Sequence, residues 1–173
     1  YGLSQVAGLD ALMYFETIIQ EGWSGFSLPV TPINGNTIVL FSEIIDNMVI
    51  IQNDNYVYWP DHNMNTFPEW QSNFGAQVKM TQDAVITLKG IPSENIIQLH
   101  AGWNYLPVSV NCDVDVMDVF SDISQYIEVI KGIADYRIYW PEMSIQSLQW
   151  LEPGKAYLIK LSQPVVVTFP NCE

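Results

Sequence analysis

Tryptophan is the residue type through which this chain could most readily do chemistry, and that chemistry is recognition. There are six tryptophans and nine tyrosines in 173 residues. Trp59 and Trp140 each stand between a tyrosine and a proline, Trp23 and Trp103 each follow a glycine, and Trp70 and Trp150 lie in less regular stretches. An exposed indole stacks on a sugar ring or anchors a protein partner, because it offers a wide rigid apolar face and one polar N–H. Core packing is the competing role. In Tyr56-Val57-Tyr58-Trp59, strand alternation places Val57 and Trp59 on one face and both tyrosines on the other. Val57 is apolar, so that face is expected to point inward and to carry Trp59, and Trp140 by analogy, into a core. The Gly-Trp tryptophans read as core in the same way. Trp70 and Trp150 are then the leading candidates for ligand contact, with Trp59 and Trp140 after them.

Catalysis needs a nucleophile or an acid–base group with a partner. The two histidines, His62 and His100, stand in unrelated contexts and outside metal-binding spacing. Glu43, Asp46, Glu69, Glu142 and Glu152 offer carboxylates for glycoside hydrolysis, yet nothing in the sequence pairs two of them. Asp113, Asp115, Asp118 and Asp122 are the one run that resembles a calcium loop, but it lacks the glycine and closing glutamate of an EF-hand. Asp113 reads better as a helix cap. The expectation is a non-enzymatic chain with no cofactor, calcium being the one candidate ion.

The net charge is −13, with six lysines and arginines in all. Phosphate backbones require clustered cations, so nucleic acid is excluded as a partner, and anionic membrane surfaces are disfavoured. No stretch approaches the roughly 20 apolar residues of a membrane span. Hydrophobic residues reach 49% and charged residues 14%, a balance that fits a folded extracellular β protein. The chain opens at Tyr1 with no basic and apolar leader, as expected of a processed piece of a longer precursor.

The elements that must position these side chains come twice. Gly22-Trp23-Ser24 recurs as Gly102-Trp103-Asn104, and Leu28-Pro29-Val30 as Leu106-Pro107-Val108. Phe41-Ser42-Glu43-Ile44 recurs as Phe120-Ser121-Asp122-Ile123, and Tyr58-Trp59-Pro60 without change as Tyr139-Trp140-Pro141. Similar blocks in one order, about 80 residues apart, mean duplicated structural units. The units are read as residues 20–90 and 99–173, joined by a short turn-like linker at 91–98. Residues 1–19 form an N-terminal segment in which a strand near 13–19 is preferred to a helix over 9–15. Ile38, Phe41, Ile44 and Ile45, and likewise Val116, Phe120 and Ile123, fall at helical spacing. Strands at 48–52 and 56–59 make a hairpin about Asn53-Asp54-Asn55. Two further strands close each unit. The fold class is α+β, β-dominated: two tandem antiparallel units, each with one short helix.

Cys112 and Cys172 both fall in the second unit, near its start and at its end. They are either two separate thiols or one disulfide that clasps the unit, and their placement favours the clasp. A bridge closing about 60 residues is worth roughly 4 kcal/mol in the chain-entropy description.

The set Gly-Trp, Leu-Pro, Tyr-Trp-Pro and Pro153-Gly154-Lys155-Ala156-Tyr157 resembles a tandem module of large secreted bacterial surface proteins, of the kind that carry a type IX secretion sorting signal. The likeness covers residues 20–172. The second unit is similar to the cysteine-clasped variant of the module. The first departs from it, with Ser72-Asn73-Phe74-Gly75 where the second has Pro-Gly. The resemblance implies an extracellular or cell-surface location and an adhesive, structural or protein-contact role, with other surface proteins or glycans as partners. It brings no established activity. Carbohydrate binding through exposed Trp and Tyr is the alternative.

Overall fold

The structure, a computed structural model, describes residues 12–172. Each Gly-Trp block opens a strand, and its glycine is there for the backbone. Gly22 and Gly102 take φ of 84° and 86°, a left-handed conformation that a side chain opposes, while the space around them is empty. The first unit runs β1 (Met13–Ile19), β2 (Gly22–Ser27), β3 (Val30–Pro32), α1 (Thr37–Leu40), β4 (Met48–Gln52), β5 (Val57–Trp59), β6 (Met64–Asn65), β7 (Gly75–Met80) and β8 (Ala84–Pro92). The second runs β9 (Ile96–Leu99), β10 (Gly102–Pro107), β11 (Val114–Asp115), α2 (Val116–Phe120), β12 (Ile127–Gly132), β13 (Ile138–Trp140), β14 (Ile145–Gln146), β15 (Trp150–Leu151), β16 (Ala156–Leu161) and β17 (Val165–Thr168).

Both units build a five-stranded antiparallel sheet in one order, β2-β7-β4-β5-β6 and β10-β16-β12-β13-β14. Even the irregularity repeats, with a bulge between Met48 and Ile50 and another between Ile127 and Val129. A second layer covers the inner face: β1-β8-β3 in the first unit and the β9–β17 pair in the second. The class expected from the sequence, α+β and dominated by strands, is the class that forms.

Residues 91–98, expected as a linker, are largely sheet. β8 continues to Pro92 against Val30, and β9 pairs with β17. The cause is burial, since Ile97 and Leu99 alternate into the second core as Phe15 and Ile19 of β1 do into the first. Of the residues weighed for an N-terminal helix, 9–11 lie outside the described residues and those from Met13 onward are strand.

The helices are shorter than their apolar spacing predicts. One α turn passes into a 3-10 turn at Ser42–Asn47 and again at Ser121–Tyr126. The tighter winding keeps Phe41 and Ile44 inward and leaves Ile38 exposed. Asn36 caps α1, its side chain accepting from the Ile38 and Val39 amides. Asp115, not the expected Asp113, caps α2 and accepts from the Met117 amide at 2.7 Å. The β11–β15 pair holds the chain extended as far as Asp115, which fixes where the helix can begin.

The two cores are separate and made of different chemistry. Phe26, Phe41, Phe67 and Phe74 surround Trp70 in the first, with ring centroids 5.2–5.8 Å from its own. The second has Leu106, Phe120, Leu148 and Leu151 at the places of Phe26, Phe41, Phe67 and Trp70 and joins Cys112 to Cys172. Leu106 answers Phe26 and not Leu28, because strand pairing aligns β2 with β10 from Gly22 and Gly102, two residues off the Leu-Pro-Val match of the sequence. Where the first unit ends in Tyr56 and Phe74, the second has Arg137 and Lys155, both paired with Glu152, and Arg137 also with Asp135 at 3.0 Å. Beside them, burial pushes the Tyr157 phenol up to about 12, and its hydroxyl accepts from the Glu152 amide at 3.0 Å.

The units meet through the outer faces of their sheets. β2 packs on β16, β10 on β7, and β7 on β16. Exchanging each strand for its counterpart reproduces the same three contacts, which is the signature of an approximate two-fold axis between the repeats. Ser27 binds across the junction: its amide donates to the Gly154 carbonyl at 3.1 Å, its hydroxyl donates to the Lys155 carbonyl, and that oxygen accepts from the Val108 amide at 3.1 Å. No helix among the described residues is long and apolar enough to cross a membrane.

Candidate functional site

The outer face of each sheet carries one row of side chains, strand by strand. In the first unit Trp23 of β2 faces Lys79 of β7, Lys79 faces Ile50 of β4, and Trp59 of β5 faces Met64 of β6. The β4–β5 ladder pairs Ile51 with Tyr58, so one step further along it Ile50 lies opposite Trp59. The row reads Trp23, Lys79, Ile50, Trp59, Met64. In the second unit the same pairings give Trp103, Lys160, Val129, Trp140, Ile145. Each row has a tryptophan on its first and fourth strands, three strand spacings or about 14 Å apart. Between them stand a lysine and a β-branched residue, and Met64 or Ile145 closes the far edge. Both rows lie on the face that forms the junction, a pleat or two beyond it.

The tryptophans therefore point the opposite way from the sequence expectation. Val57 and Trp59 do share a face, but it is the outer one, and Tyr58 turns inward beside fully buried Ile51. Trp140 is 38% exposed while Tyr139 is buried. The Gly-Trp residues, expected in the core, are also open, with Trp23 at 38% and Trp103 at 44%. Lys79 lies 5.9 Å from the Trp23 ring centroid and Lys131 lies 5.5 Å from that of Trp103. The Trp59 ring lies against that of His62, centroids 3.7 Å apart and planes tilted by 40°.

Trp70, a leading ligand candidate in the sequence, is completely buried. Its partner in the repeat is not Trp150 but Leu151, because each stands eleven residues beyond the tryptophan of Tyr-Trp-Pro. Trp150 sits one position earlier, faces Asp115 across β11–β15, and is 46% exposed. Trp70 keeps one cost of its size, an indole N–H without a hydrogen-bond partner among the described residues. Trp70→Phe removes that orphan donor along with some volume, and the two effects oppose each other. The expected loss is no more than about 1.5 kcal/mol by urea unfolding, against about 3–5 kcal/mol for Trp70→Ala.

The other candidates disperse. Asp113, Asp115, Asp118 and Asp122 do not gather, and no three acidic, histidine or cysteine side chains form a metal-holding group among the described residues. Glu152 is engaged with Arg137 and Lys155. His62 sits in a 3-10 turn, Pro60–His62, and His100 follows β9 on an exposed edge.

A groove of about 480 Å³ opens where the first unit's β4–β5 turn and the approach to β7 face β9 and β10 of the second. No signal within either unit points to it, since it is formed by both together. Set against known protein families, curated proteins and solved structures, the chain matches none.

Proposed function

We propose that this chain is a non-catalytic, extracellular adhesive module of a secreted surface protein, which holds its partner through the two tryptophan rows. The observation that carries this reading is the recurrence of one layout, tryptophan, lysine, β-branched residue, tryptophan, on the exposed sheet face of both units. A core explains conserved inward positions in a repeat, but these side chains face out, where duplication preserves what makes contact. Tryptophan is the residue most enriched at the energetic centres of protein interfaces. Two copies about an approximate two-fold axis allow two weak contacts to act as one strong one.

The test is binding of the fluorescently labelled chain to immobilised cell-surface proteins and to a panel of surface glycans. Saturable binding to at least one arrayed protein is expected. Trp103→Ala with Trp140→Ala should weaken it by about 2 kcal/mol or more, with an unchanged circular dichroism spectrum. Binding that survives Trp23→Ala and Trp59→Ala added to that pair, which removes both rows, would sink the reading, as would no saturable binding to any protein. Glycan stacking is the second reading. It is favoured by Trp140 and Trp150, whose indoles are 38% and 46% exposed.

A further inference from the structure

We infer that the groove between the two units is a binding site for a neutral saccharide. This goes beyond the adhesive reading and does not depend on the tryptophan rows. Among the described residues the two sides of the two-fold relation differ at this corner. On the other side Phe15 and Thr17 of β1 close over Gly154. Here the residue that corresponds to Gly154 is Asn73, and the space beside it stays open. The two units have also diverged at this corner. Tyr56 and Phe74 stand where the second unit has its Arg137, Lys155 and Glu152 cluster. The first unit therefore contributes aromatic surface and no cation.

The lining names the ligand class. Among the described residues no lysine or arginine borders the groove and Asp54 is its one carboxylate, so an anion meets no countercharge there. The polar lining is mostly amide, from Asn55, Asn73 and Gln98, which suits a ligand that both donates and accepts and does not suit an apolar one. His100 Nδ1 lies 2.7 Å from the Ala101 carbonyl, which can only accept. Nδ1 therefore donates to it, and in that tautomer Nε2 is the ring's acceptor. Burial and the nearby Asp54 carboxylate both raise the Tyr105 phenol, which keeps its hydroxyl protonated as a donor. Acceptors at Asp54 and His100, donors at the amides and Tyr105, and the faces of Tyr56 and Phe74 match a pyranose, whose hydroxyls donate and accept in turn and whose C–H face is apolar.

Two neighbouring side chains hold the walls. Asn53 accepts from the Asn55 and Tyr56 amides at 3.0 Å and donates to the Gly75 carbonyl at 3.2 Å. Buried Asn104 accepts from the His100 amide at 3.0 Å and donates to the His100 carbonyl at 2.8 Å. The groups that would meet the sugar thus stand on turns fixed by other residues.

The experiment is amide chemical-shift mapping of the whole chain, titrated with glucose, mannose, galactose and N-acetylglucosamine. At least one sugar is expected to give saturable shifts centred on residues 53–56, 73–75 and 98–105. Asp54→Asn and Tyr105→Phe, both conservative changes, should each weaken binding at least fivefold, while Val85→Ala on the exposed side of β8 leaves it unchanged. Shifts centred on Trp140 or Trp150, or no saturable shift with any of the four sugars, would overturn the inference and leave the protein-contact role of the rows untouched. Loss of protein binding in the tryptophan-row variants alone would leave the groove untouched.

Discussion

Gly25→Ala is expected to pull the two units apart. Gly25 lies on the outer face of β2, and a Cβ built there falls on the backbone carbonyl of Ala156 in β16. No flexible side chain is available to yield; one strand must leave the other. Gly75 is also close but less so, since its Cβ would come to 2.9 Å from the Tyr105 Cβ and 3.3 Å from that of Ala156. Alanine is otherwise welcome at position 25, where the backbone lies outside the left-handed region and a strand favours it over glycine. The effect therefore isolates the junction. Overpacking of this kind costs about 3 kcal/mol. It should also split one cooperative urea transition into two, because each unit has its own core. Gly22→Ala is the control. It meets open space and strains only φ, so it should cost about 1 kcal/mol and leave the transition single. A single transition with an unmoved midpoint in Gly25→Ala would show that the junction does not hold the units together. Opening the junction would also dismantle the groove, so saccharide-induced shifts should vanish in this variant while both cores persist.

The repeat was the readable part of this fold, and it was readable because duplicated blocks survive wherever backbone or core needs them. Gly22 and Gly102 must adopt positive φ, and Phe41 and Phe120 must fill the same place in two cores. Direction was harder to read. Alternation correctly put Val57 and Trp59 on one face, but which face is buried depends on what covers it, and the cover of this sheet is β1, β8 and the helical turn, far away in sequence. An apolar valine stands on the open side, so apolarity alone does not give the direction. Trp70 was a matter of counting. Aligned from Tyr-Trp-Pro it falls on Leu151, an apolar residue followed by Glu152-Pro153, and that match alone points inward. The tryptophan rows were encoded in the pairing of strands, which neither composition nor spacing reveals. The groove was illegible because it belongs to the junction, and the two-fold relation that creates the junction leaves no sequence pattern.

Removing the clasp should make the second unit the weaker by a wide margin. The Cys112–Cys172 bridge spans 60 residues, nearly the whole second unit. Chain-entropy arithmetic for that loop gives about 4 kcal/mol, a large share of the stability of any small unit. The second core has leucines where the first has Phe26, Phe67 and Trp70, so it holds less aromatic surface to compensate. Cys112 also packs partly against that core, so serine there loses contact as well as the bond. In Cys112→Ser with Cys172→Ser, hydrogen exchange should accelerate across β10, β12 and β16 by roughly a thousandfold, the equivalent of 4 kcal/mol. Exchange in β2, β4 and β7 should change far less, since the first unit keeps its aromatic core and loses only part of the junction. Equal acceleration in both sheets would mean that the units unfold as one, and that the junction outweighs the difference between their cores. That outcome would sharpen the test of Gly25→Ala, because a dominant junction is one that a single methyl group on β2 should break with the largest effect in the molecule.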